Sequence, residues 1–132
     1  MEMDQEEAVR RLDTFRVLLD KLVHSVGRTV ADVVGNEPRG FDVEGVYCIS
    51  LPDDRKIVYI GQTRSKKVIG RVRDHRSNDG TSDLRCMLKN RAGDYPQTVD
   101  EYVVRCIEVA DPKQRAFFEH FAIAVVQPPF NA

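Results

Sequence analysis

The chain has 132 residues, of which 42% are hydrophobic and 31% charged, with no tryptophan and a formal net charge of −1. That is the composition of one globular domain with room for a single hydrophobic core. The acidic opening MEMDQEE has no apolar centre, and no apolar run approaches the roughly 20 residues that span a bilayer, so the sequence predicts a cytoplasmic protein without leader or membrane span.

The near-neutral total conceals an asymmetry. Residues 1–40 sum to −2, residues 41–54 to −4, residues 55–91 to +8 and residues 92–132 to −3. A concentrated basic segment inside a neutral chain is the pattern of a phosphate-binding face, with a solvated helix and loop as the alternative reading. Arg64, Lys66, Lys67, Arg73 and Arg76 are its candidate nucleic-acid contacts.

In chain order, Ala8, Leu12, Phe15, Leu19, Leu22 and Val26 recur at alternating steps of 4 and 3, which predicts an amphipathic helix over residues 5–24. Its stripe packs either on the protein's own core or in a seam with a second copy or another protein. Gly27 and GNEPRG at 35–40 break the pattern, setting residues 1–40 apart as a helical arm before a domain at 41–132. Residues 43–50 and 56–61 read as strands of an antiparallel hairpin joined at Pro52-Asp53-Asp54. Helical patterns follow at 66–76 and 82–91, then TVDEYVVRCIEV as a third strand. The last helix opens at Asp111-Pro112, an N-cap with proline at the first helical position, and stops before Pro128-Pro129. Cys48, Cys86 and Cys106 have neither CxxC nor Cys/His spacing and are expected as buried thiols.

The hairpin carries two triplets, Gly45-Val46-Tyr47 and Tyr59-Ile60-Gly61. Antiparallel neighbours can hold such tyrosines on one face with the phenols reaching one spot, either as core aromatics or as reactive groups. Glycine beside them admits a close neighbour. Lys67, Arg71 and His75 are four apart, on one basic helix face, while Val68, Ile69 and Val72 are placed to face the core. In QRAFFEHFAIAVVQPPFNA the phenylalanines and branched residues make the helix apolar nearly all round, with Glu119 in its middle. A buried carboxylate needs a partner, either Arg115 one turn earlier or a cation.

Together these residues resemble a GIY-YIG nuclease domain, over residues 43–131. Gly45-Val46-Tyr47 stands for GIY, with valine for isoleucine, and Tyr59-Ile60-Gly61 for YIG. Arg71, His75, Glu119 and Asn131 match the helix arginine, the histidine, the metal-binding glutamate and the closing asparagine. The resemblance implies an α/β fold of α+β type, a short three-stranded, largely antiparallel sheet flanked by helices, with the site across one sheet face. It implies an endonuclease that hydrolyses a nucleic-acid phosphodiester bond with one Mg²⁺ or Mn²⁺ held by Glu119, DNA being the favoured substrate and RNA the alternative. Arg71 would neutralise charge on the phosphoryl group. Tyr47, tuned by His75, would accept the proton of the attacking water, and Tyr59 would position water or phosphate, the two roles being exchangeable. Gln62 stands where some members have lysine, with Lys67 as a substitute. A nucleic-acid-binding module of the same fold without turnover, and a scaffold recruiting a partner through its N-terminal helix, are the other readings.

Overall fold

A computed structural model of the chain describes residues 3–53, 56–77, 83–91 and 93–131. The elements run α1 (Gln5–His24), β1 (Arg28–Thr29), α2 (Val30–Asn36), β2 (Gly45–Ser50), β3 (Ile57–Gln62), α3 (Val68–Arg76), α4 (Asp83–Asn90), a 3-10 turn at Val99–Glu101, β4 (Val103–Glu108) and α5 (Pro112–Val126). Asp54 of the expected turn and residue 82 at the expected start of α4 lie outside the described residues.

The sheet has four antiparallel strands in the order β1-β4-β2-β3, not the three expected. The added strand is only Arg28–Thr29, paired with Val104 and Val103, too short to leave a period-2 signal. It leads directly into α2, whose N-cap Thr29 accepts a hydrogen bond from the Asp32 backbone. The sequence reading has no helix here because Gly27 and GNEPRG at 35–40 read as breaks on either side of a short segment. The helix instead runs through Gly35 and stops at Glu37, which takes a left-handed conformation at φ 47°.

Helices cover both faces of the sheet. On one, Tyr47, Ile49, Tyr59 and Val104 pack with Val33 of α2, Val68 and Val72 of α3, Leu84 and Leu88 of α4, and Phe130. On the other, Val46, Cys48 and Ile60 pack with Leu22 of α1 and Phe118 and Ala122 of α5. The period of the strands divides the two sets, except at a bulge after Ile49, where Val58 drops out of register and joins Tyr59 on the first face.

The stripe of α1 docks only along its second half. Leu22 is fully buried, Phe15 packs on Phe118 and Phe121 of α5 and Leu19 joins the same cluster, whereas Leu12 and, past the helix end, Val26 are exposed. Asp4 caps its first turn through the Glu7 backbone, and Lys21 and His24 lie at the negative end of its dipole. The expectation that α5 is buried all round is corrected: Phe117 and Val125 are exposed. Cys48 and Cys106 are buried, with their thiols pushed up to about 12 by burial, but Cys86 is exposed. Among the described residues no helix is long and apolar enough to cross a membrane.

Candidate active site

β3 lies at the sheet edge, and its outer side is bordered by the C-terminal segment. Phe130 donates its backbone N–H to Val58, and the Asn131 side chain closes both backbone groups of Ile60, accepting from its N–H at 2.9 Å and donating to its carbonyl at 2.8 Å. Asn131 thus fixes the strand that carries Tyr59 and also satisfies an edge that would otherwise be open.

The two glycines of the triplets are required by close approach. In register Tyr47 lies opposite Gly61, and Tyr59 opposite Ile49, so the tyrosines are diagonal neighbours with ring centroids 6.3 Å apart. The Tyr47 ring crosses over Gly61, where an added Cβ would sit 2.5 Å from Tyr47 Oη; at Gly45 it would sit 1.9 Å from the Ile107 carbonyl oxygen.

α3 has no side-chain cap. Its first amides instead donate to the Val43 and Phe41 carbonyls, which seats the helix over the tyrosines. His75 is thereby fully buried, its Nε2 2.7 Å from Tyr47 Oη and its ring edge-on to Tyr59 at 5.0 Å. Burial, and then the Arg71 charge, lower its pKa to about 4, so the imidazole is neutral at pH 7. Nδ1 has no hydrogen-bond partner. The tautomer that buries no orphan N–H carries its proton on Nε2 and donates to Tyr47 Oη. Burial, and then Tyr59, push the Tyr47 phenol far up, against the pull of the Arg71 guanidinium beside it. Arg71 and His75 therefore turn to the sheet. The basic helix face expected for Lys67, Arg71 and His75 does not form, because His75 is buried, Arg71 faces the cleft beside Asp74, and Lys67 points toward Asp42 at 3.8 Å.

A cleft of about 520 Å³ opens around the β3 edge, walled by Tyr59, Ile60 and Gln62 of β3, Arg64, Ser65 and Lys66 of the following loop, Arg71 and Asp74 of α3, Glu119 and Ile123 of α5, and Asn131. It draws on both sheet faces, since Tyr59 lies on the α3 side and α5 covers the other. The site expected across one face therefore wraps the edge. Tyr59 lines this cleft; Tyr47 is fully buried behind it.

Glu119 is half-buried at the cleft wall, and its Oε1 accepts from Gln62 Nε2 at 2.9 Å. Burial raises its pKa, opposed first by the Gln62 hydrogen bond and then by His120, Arg64 and Arg71. The pairing with Arg115 left open by the sequence does not occur. Buried Arg115 donates instead to the carbonyls of Val109, Thr63 and Ala110 and to the Glu44 carboxylate, tying the start of α5 to the strand ends.

Among the described residues no three His, Cys, Asp or Glu side chains cluster as metal ligands. One carboxylate, oriented by an amide and facing a polar, water-accessible cleft, fits a hard cation such as Mg²⁺ that retains most of its water shell.

The basic candidates separate. Arg64 and Lys66 line the cleft, whereas Lys67 and Arg73 line a neighbouring groove with Asp42 and Glu37, and Arg76 pairs with Asp100 at 2.7 Å. The lysine suggested in place of Gln62 is Lys67 by sequence, but it is Lys66 that reaches the cleft. Sequence reasoning assigned no role to Asp74 and saw Gln62 only as a missing lysine. Asp74 was detectable as the acid three residues after Arg71 on the same helix. The Gln62–Glu119 contact joins distant segments and had no local signal. The chain matches no protein-family model and no curated protein.

Proposed function

We propose that the domain is a divalent-metal-dependent endonuclease of the GIY-YIG type, hydrolysing a phosphodiester bond in nucleic acid, DNA in preference to RNA. The observation that carries this reading is the meeting of Tyr59, Arg71, Glu119 and Asn131, from four separate segments, around one polar cleft. Glu119 would hold Mg²⁺ or Mn²⁺, which would supply charge stabilisation at the leaving oxygen.

The chain's own groups do the rest. Gln62 orients the Glu119 carboxylate. Arg71, whose planar guanidinium suits two phosphoryl oxygens, offsets the charge that accumulates there in the transition state. Tyr59 contacts the attacking water or the phosphate from the cleft wall. Tyr47 and neutral His75 form a buried hydrogen-bonded pair behind it whose rings hold the Tyr59 ring in place, and the proton of the attacking water passes to solvent water in the open cleft. Arg64 and Lys66 meet neighbouring phosphates, an interaction that weakens with salt.

The test is incubation with single-stranded, duplex and branched DNA and with RNA, each in Mg²⁺, Mn²⁺ or EDTA. Cleavage of DNA that stops in EDTA is expected. Salt-dependent binding without cleavage under every condition would reduce the domain to a binding module.

A further inference from the structure

Asp74 and Glu119 are the two acidic side chains that wall the cleft among the described residues. They are held differently. Glu119 is held by a neutral amide, whereas Asp74 is gripped by the cleft's own cations. Lys66 Nζ donates to both Asp74 oxygens at 2.9 Å, and Arg71 Nη1 donates to Oδ2 at 3.2 Å. Lys66 comes from the loop after β3, so these contacts draw that loop onto α3. Gly70 permits the approach, since a Cβ there would lie 3.2 Å from Cβ of Lys66.

An ammonium and a guanidinium converging on two anionic oxygens is the arrangement a phosphodiester would meet. Both cations line the proposed site. We infer that Asp74 is an internal stand-in for the substrate phosphate: it holds Lys66 and Arg71 in position in the free site and yields them when a nucleic-acid phosphate enters. Asp74 is thus a positioning residue that also sets selectivity. An isolated anion must displace it for two cations, whereas a polynucleotide gains further contacts at the same time, including Arg64 on the same cleft wall. This inference rests on the phosphodiester reading of the cleft.

The experiment measures binding of a labelled DNA oligonucleotide to the full chain by fluorescence anisotropy in EDTA, for wild type, Asp74→Asn and Asp74→Ala. Removing the carboxylate should tighten binding about fivefold, the effect of one unscreened charge at contact distance in water. The slope of log affinity against log salt should steepen by about one, because Lys66 is freed to neutralise a phosphate. In Mg²⁺ the single-turnover rate should fall, because Arg71 has lost its holder, so affinity and rate move in opposite directions. Equal or weaker binding by folded variants overturns the inference.

A measurement on wild type alone covers a failure of the variants to fold. The DNA oligonucleotide, in EDTA, should shift the Lys66 ammonium resonance, and an unmoved resonance at saturation overturns the inference. Cleavage by wild type together with unchanged binding by Asp74→Asn would remove this role and leave the nuclease reading intact. Tighter pyrophosphate binding by Asp74→Asn in a protein that cleaves nothing would support this role and remove the nuclease reading.

Discussion

The Gln62 amide donates to Glu119 Oε1 at 2.9 Å, joining the end of the edge strand to the middle of the last helix. This contact points one carboxylate at the cleft and favours its ionised form. Gln62→Leu keeps the bulk and removes the donor. It should weaken Mn²⁺ binding by about tenfold or more, the usual effect of losing a group that orients a metal ligand. Titration followed by Mn²⁺ electron paramagnetic resonance checks this, and an unchanged affinity would show that Gln62 only fills space.

Gly61 and Gly45 are predicted to be intolerant for different reasons. Gly61→Ala drives a methyl against the Tyr47 phenol and should cost about 1–3 kcal/mol, since a side chain can shift. Gly45→Ala meets the backbone carbonyl of Ile107 in the central pairing of β2 with β4 and should cost more. Urea denaturation of both variants gives the order; a more stable Gly45→Ala than Gly61→Ala would contradict the packing described.

His75 makes stability depend on pH. Its folded pKa of about 4 lies below the ordinary value of 6.5, so between these values the unfolded chain holds a proton that the folded chain does not. Stability from this group is complete above pH 6.5 and is lost as the pH falls through about 4, an effect on the order of 3 kcal/mol. Urea midpoints for wild type should therefore fall more steeply over this window than those of His75→Gln. Parallel curves would show that the buried imidazole does not titrate as described.

Leu22→Ala should destabilise by about 2–5 kcal/mol, since the side chain is fully buried between α1 and the sheet. Leu12→Ala, at a position 54% exposed, should stay within about 0.5 kcal/mol. Thermal melts of the two variants compare them directly. A large loss at Leu12 that depends on protein concentration would place that half of α1 in a seam between copies.

Where a boundary depends on local chemistry, the sequence was enough. The α1 range follows from its stripe, and α5 begins at Pro112 because Asp111 accepts from Lys113, then ends on left-handed Gln127 before the two prolines. The β2–β3 hairpin was likewise legible in alternation, whereas the approach of His75 to Tyr47 was implied by the resemblance and not by helical spacing, which put His75 on an outward basic face. What was not legible depends on distant segments. The strand Arg28–Thr29 exists only because β4 offers it a partner, and the α2 residues Val30 and Val33 are held by burial despite Gly35. The width of the basic face was overestimated because the acids that neutralise it, Glu37, Asp42 and Asp100, come from outside the basic segment. Glu119 looked fully buried because helical periodicity does not show that α5 runs beside the open edge of the sheet.

The central claim is that Glu119 and Arg71 serve one cleft in two different ways, and single-turnover cleavage of labelled DNA with Mn²⁺, alongside Mn²⁺ affinity, tests it most directly. Glu119→Gln keeps the shape and removes the charge, so it should lose both metal binding and cleavage while staying folded. Arg71→Ala should lose cleavage by about 100-fold or more, as for removal of a transition-state contact, while binding Mn²⁺ near the wild-type affinity. A Glu119→Gln protein that cleaves at the wild-type rate with metal present would contradict the account.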